Sequence, residues 1–250
     1  MPHEIFKPGI RVLIAACFGA VGCFLQASPS VAQEQSSSED PLIPVCIPRV
    51  ASGFVKCNFE NGDNYVGHIV NGIIEGRGVY VYADGHRYDG EFRNGKPHGR
   101  GIFISSEDAR FEGNFQNGNI VQGKVFFPDG NRYEGTFRLV SEVGGDKVTS
   151  QPSGRGTFFF NNGSRYVGEF FAGQPFGRGT LIRPDGSRCE GQFFNENLDA
   201  KATSCRFSNG STYRGELRQG VPHGHGTLTN PNGQRFIGTF REGRFVRAAQ

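Results

Sequence analysis

The stretch Gly85–Gly101, GHRYDGEFRNGKPHGRG, holds residue types that could do chemistry. Its glycine pair Gly99 and Gly101 could let a backbone close on a phosphate. His98 could move a proton or ligate a metal, and Arg87, Arg93 and Arg100 lie near Asp89 and Glu91. A dinucleotide loop, however, needs a helix opening directly after its glycines, so that free amides and the helix dipole meet the anion. Here Ile102, Phe103 and Ile104 follow, a strand-forming run. His223 and His225 stand two apart and would share a face of a strand, but no acidic or cysteine ligands accompany them. The sequence therefore implies no metal, no cofactor and no catalytic residue in this stretch.

The same seventeen-residue phrase returns as GSRYVGEFFAGQPFGRG over Gly163–Gly179 and GSTYRGELRQGVPHGHG over Gly210–Gly226. An aromatic-x-Gly beat runs through Tyr65, Tyr88, Phe111, Tyr133, Tyr166, Tyr213 and Phe236, with Cys189 in the ring's place once. The steps are 23, 23, 22, 33, 23, 24 and 23 residues. A catalytic loop is built once, whereas a fixed period near this length signals a repeat array. The long step contains LVSEVGGDKVTSQPS, residues 139–153, whose polar and glycine content reads as an inserted surface loop.

Alternation sets the rest. In Arg87–Phe92, Tyr88, Gly90 and Phe92 share one face and Arg87, Asp89 and Glu91 the other. Gly76, Gly78, Tyr80 and Tyr82 repeat the ring-and-glycine face on a preceding strand, where a missing side chain leaves room for a ring to lie on the backbone. Two sets of Asn-Gly or Asp-Gly pairs, such as Asn71-Gly72 and Asp84-Gly85, mark the reversals. With 38 glycines, 24 phenylalanines and no tryptophan, the expected fold is all-β: a single-layer twisted solenoid of about eight stacked β-hairpins.

Before the array, Lys7 and Arg11 precede the apolar run Val12–Leu25 and the small-x-small sequence Ser30-Val31-Ala32, the pattern of a secretory signal peptide. The expected organisation is a leader over 1–32, a linker over 33–51, the array over 52–247 and a tail over 248–250. Export places the protein in the periplasm, the cell envelope or outside the cell, membrane-anchored if the leader is retained. Four cysteines lie beyond the leader, and short separations favour disulfides Cys46 with Cys57 and Cys189 with Cys205 among three connectivities. A formal charge of +3 is too small to imply nucleic acid.

The pattern Y-x-G-x-F-x-x-G-x-x-x-G-x-G, followed by an aromatic strand and D/N-G, resembles the MORN (membrane occupation and recognition nexus) repeat of the exported, bacterial type. The resemblance covers about Asn58 to Arg247 in eight copies, with Val121, Ala200 and Ala202 replacing glycines and a last copy that stops short. It implies a non-enzymatic scaffold or protein-interaction module with a protein partner or a second copy of the chain. The alternatives are an anionic phospholipid or membrane-surface binder and an accessory subunit of a separate enzyme. No G-x-S-x-G, H-E-x-x-H or P-loop occurs, so no small-molecule substrate is expected. The ring face of Tyr65, Tyr88, Phe92, Phe111, Phe115, Tyr133, Phe137, Tyr166, Phe170, Tyr213 and Phe236 is the candidate interaction face, because a single sheet leaves it to be filled by its own curled rings, by a second copy of the chain or by a ligand. Arg77, Arg100, Arg155 and Arg178, between paired glycines, are the candidate anion or lipid contacts. Asp89, Glu91 and Glu169 are expected to compensate them.

Overall fold

A computed structural model describes residues 45–141 and 148–248. The leader 1–32 and most of the linker lie outside the described residues. The described chain contains strands and turns and no helix, as the period and the Asn-Gly pairs imply. It divides into two compact units, one comprising the chain up to Val121 together with Ser141–Thr149 and the other Gln122–Val140 with the chain from Ser150 onward. The strand Asn119–Phe126 spans that division.

In the first unit, the strands Val45–Ile47, Gly53–Asn58, Asn64–Val70, Ile73–Val81, Arg87–Arg93, Lys96–Ile104 and Arg110–Gln116 each pair antiparallel with the next. The register lines the glycines up: Gly67 faces Gly78, Gly78 faces Gly90, Gly90 faces Gly101 and Gly101 faces Gly113. At the two-residue turn Asn71-Gly72 both residues take positive φ, 50° and 76°. That twist matches the right-handed twist of the flanking strands, and asparagine and glycine reach it at little strain.

The second unit repeats the scheme. Its antiparallel strands include Val148–Phe159, Arg165–Phe171, Gln174–Ile182, Arg188–Phe193, Ala200–Arg206, Thr212–Arg218, Val221–Thr229, Arg235–Arg241 and Arg244–Ala248. The glycine ladder runs Gly156, Gly168, Gly179, Gly191 across four of them. Two expectations change here. The reading of 139–153 as a loop is corrected at both ends, since Arg132–Ser141 and Val148–Phe159 extend into it as strand, with Thr149, Ser150 and Ser153 buried. Within the expected linker Val45–Ile47 is likewise strand, and its Cys46 faces Cys57 and is bonded to it.

Five glycine pairs each seat one tyrosine. Tyr65 lies over Gly67 and Gly78, Tyr88 over Gly90 and Gly101, Tyr133 over Gly135 and Gly156, Tyr166 over Gly168 and Gly179, and Tyr213 over Gly215 and Gly226. A Cβ at Gly90 would come 2.6 Å from the Tyr88 hydroxyl, so nothing larger than glycine fits beneath the ring. Every one of these hydroxyls donates to the carbonyl three residues on: His68 at 2.8 Å, Glu91 at 3.0 Å, Thr136 at 2.9 Å, Glu169 at 3.1 Å and Glu216 at 2.9 Å. Phenylalanines then wedge edge-on between tyrosines of successive hairpins. Phe92 meets Tyr65 and Tyr88 at 5.5 and 5.1 Å, and Phe170 meets Tyr133 and Tyr166 at 5.0 and 5.3 Å. Edge-to-face pairs each add about 0.5 to 1.5 kcal/mol beyond area burial.

Candidate functional site

The ring face is the core. Of the eleven rings of the candidate interaction face, ten are buried: Tyr65, Tyr88, Phe92, Phe111, Phe115, Tyr133, Phe137, Tyr166, Phe170 and Tyr213. Phe236 is half-buried. Of the three ways in which the face could be filled, its own rings fill it. Once each ring folds along its own strand onto a glycine pair, the rings cover one another and no accessible aromatic face remains. Burial pushes the Tyr65 and Tyr213 hydroxyls up to about 12 and raises Tyr88, Tyr133 and Tyr166 further, all in the direction that keeps them neutral donors.

The opposite face carries the accessible chemistry. Arg77 and Arg100 in the first unit, and Arg155 and Arg178 in the second, are all exposed there. Their expected compensation by Asp89, Glu91 and Glu169 does not occur: among the described residues no carboxylate lies within ion-pair distance of these four guanidiniums. The reason is local. Asp89 pairs along its own strand with Arg87 at 3.2 Å. Glu91 instead turns onto the irregularity beside Gly99 and accepts the Arg100 backbone N–H at 3.4 Å, and Glu169 accepts that of Arg178 at 3.2 Å beside Gly177. These carboxylates serve the backbone, which leaves the arginine side chains to solvent. Charge pairing elsewhere also runs mainly along a strand, in Arg110–Glu112 at 2.7 Å and Arg188–Glu190 at 2.8 Å, with Lys124–Glu134 at 3.5 Å as the cross-strand case.

The cysteines are where the short separations favoured them. Cys46 is bonded to Cys57 and Cys189 to Cys205, each pair 4.0 Å apart at Cα and directly opposite in register. Cys189 and Cys205 are buried among the rings. No cluster of three or more metal-ligating side chains occurs among the described residues.

Two features of the outer face escaped the sequence reading. Phe171 and Phe176, on the hairpin Arg165–Ile182, are 65 % and 53 % exposed with ring centroids 6.0 Å apart. Secondly, a concavity of about 590 Å³ gathers Arg188, Arg206, Arg214 and Arg235. The available signal for it was positional: Arg214 stands where other copies carry Asp89, Glu112, Glu134 and Glu190.

A ring-over-glycine hairpin repeated through both units defines the class: a β-repeat array whose copies pack on their neighbours. The MORN repeat model matches residues 65–87, 88–108, 150–165, 166–188 and 213–235, and the chain is a MORN-repeat protein. MORN repeats are generally protein- or membrane-interaction modules. None of the curated proteins matches the chain. Among solved structures, it is similar to the SAS-4 (dCPAP) TCP domain of Drosophila melanogaster in complex with a Proline Rich Motif of Ana2 (dSTIL). That match has 13 % identity, covers 85 % of this chain and 99 % of that one, and has a TM-score of 0.38. The wild-type TCP10 domain of Danio rerio CPAP is 15 % identical over 75 % of this chain and 89 % of that one, at a TM-score of 0.25. Likenesses this distant carry no inference about this chain.

Proposed function

We propose that this protein is a non-enzymatic MORN-repeat scaffold of the cell envelope that docks a protein partner on its outer face. The observation that carries the reading is the Phe171–Phe176 pair. Two neighbouring rings left mostly in water, on a chain that buries nearly all its other repeat rings, mark a contact surface. Export, with cleavage before Gln33 and the array from residue 52, belongs to the same reading and is supported by the two disulfides. The test is a photo-crosslinking residue at Phe176 in the full chain, in its native host. A discrete protein adduct, lost on Phe171→Ser, is expected. Adducts to lipid alone, or none, would overturn it. Intact mass of the envelope-fraction protein, starting at Gln33 rather than Met1, tests the export.

A second reading, binding of anionic phospholipid, is favoured by the four exposed arginines that lack a carboxylate partner. Sedimentation with anionic vesicles at low and high salt tests it. Salt-sensitive binding abolished by glutamine at Arg77, Arg100, Arg155 and Arg178 would replace the scaffold reading.

A further inference from the structure

In the hairpins from Arg188 to Arg235 the repeat's outer charges are inverted. Elsewhere the arginine before the repeat ring faces an uncharged residue on the neighbouring strand: Arg87 faces Val81 and Ile104, and Arg165 faces Phe159 and Ile182. Here Arg188 faces Arg206 directly. The next position along is a carboxylate in four of the eight copies, Asp89, Glu112, Glu134 and Glu190, yet beside Ser204 it becomes Arg214. Like charges directly opposite on neighbouring strands are destabilising. Only Glu190 offers compensation, and it is engaged with Arg188 at 2.8 Å. Arg206, Arg214 and Arg235 therefore line the concavity of about 590 Å³ with no carboxylate within ion-pair distance among the described residues.

We propose that this concavity is a binding site for a compact polyanion, a ligand with two or more adjacent phosphate groups. Guanidiniums suit such a ligand because each presents planar paired donors to phosphate oxygens. Thr212, which faces Arg206 on one side and Thr229 on the other, adds hydroxyl donors between Arg206 and Arg235. No aromatic ring lines the site to stack a base or a sugar, so recognition falls on the phosphates. This site is separate from the Phe171–Phe176 surface and from the four arginines of the lipid reading.

Isothermal titration of the full chain with inorganic pyrophosphate at low and high salt tests the proposal, with Arg206→Gln/Arg214→Gln as the variant and Arg93→Gln/Arg241→Gln, exposed and outside both arginine groups, as the control. Expected results are salt-sensitive binding that weakens at least tenfold in the first variant and stays unchanged in the control. The ligand-free melting temperature of the first variant should rise, because the Arg188–Arg206 opposition is relieved. No binding of pyrophosphate at low salt, or equal loss in both variants, would overturn the proposal. So would pyrophosphate binding that the first variant retains in full, whereas anionic-vesicle binding that excess pyrophosphate displaces would identify a lipid headgroup as the source of the phosphates. Crosslinking at Phe176 is unaffected by any of these outcomes, so this site and the scaffold reading fail separately.

Discussion

The hairpins that begin at Tyr166 and at Cys189 are neighbours in one unit and solve the same packing problem with different chemistry. In the first, the Tyr166 ring covers Gly168 and Gly179, and its hydroxyl reaches the Glu169 carbonyl. In the second, Cys189 bonds to Cys205 and no ring is present, so the backbone below has nothing to make room for. Thr203 then stands where Gly179 stands, facing Gly215 as Gly179 faces Gly191, and its side chain takes up the space beside Gly191 while its hydroxyl donates to the Gly215 carbonyl at 2.6 Å. Ring and glycine are one device. Where the ring goes, the need for the glycine goes with it.

The sharpest way to break the comparison is to exchange the glycine requirement. Gly179→Ala places a methyl inside the Tyr166 ring, so ring and hydroxyl bond are both displaced, at about 4 kcal/mol. Thr203→Ala, at the matching position, should cost only about 1 kcal/mol for the lost hydroxyl bond, since a side chain already fits there and overlaps no ring. Urea unfolding of the two variants measures both, and equal effects would show that ring and glycine are not coupled.

Next in size is the bond that replaces the ring. Cys189→Ser/Cys205→Ser should lose ~2 to 4 kcal/mol. Non-reducing peptide mapping of oxidised protein should recover the Cys189–Cys205 linkage, and free thiols at both positions in folded protein would contradict the structure.

Alkali should act on the ring hairpins and spare the disulfide one. The Tyr65 and Tyr213 hydroxyls are raised by burial from 10.0 to about 12, so the folded state holds its protons more tightly than the unfolded state. Their contribution to stability is complete below pH 10.0 and is lost as pH rises towards about 12. Phenolate absorbance should therefore appear together with loss of strand signal. Titration at the ordinary tyrosine value with the fold intact would show that the rings are not sealed.

The smallest effect expected is that of Tyr166→Phe, which keeps the ring over Gly168 and Gly179 and removes only the donor to Glu169. About 1 kcal/mol should be lost. A larger loss would place the hydroxyl, rather than the ring, at the centre of the repeat.

Much of this was legible in the residues. The period near 23 set the class, the Asn-Gly pairs set the reversals, and the two-residue alternation assigned Tyr88 inward and Arg87 outward, because each is a local property of a strand or turn. Short separation favoured both cysteine pairs. The candidate interaction face was not legible. Parity says which face a ring occupies, but not that Tyr88 lies back along its own strand and is then covered by Phe115, 5.1 Å away on another hairpin. The carboxylates of Glu91 and Glu169 were misassigned for a similar reason, since an irregular step beside Gly99 or Gly177 offers a backbone donor that no spacing rule registers.

By itself the sequence determined the repeat, its strands and turns, its inward and outward residues and its membership of a repeat family, all fixed by short-range geometry that recurs every copy. Tertiary structure decided what is accessible. It sealed the rings into a core, freed Arg77, Arg100, Arg155 and Arg178 from carboxylates, left Phe171 and Phe176 in water and set Arg206 opposite Arg188. Those outcomes depend on which strand lies beside which and in what register, and register is a relation between residues far apart in the chain.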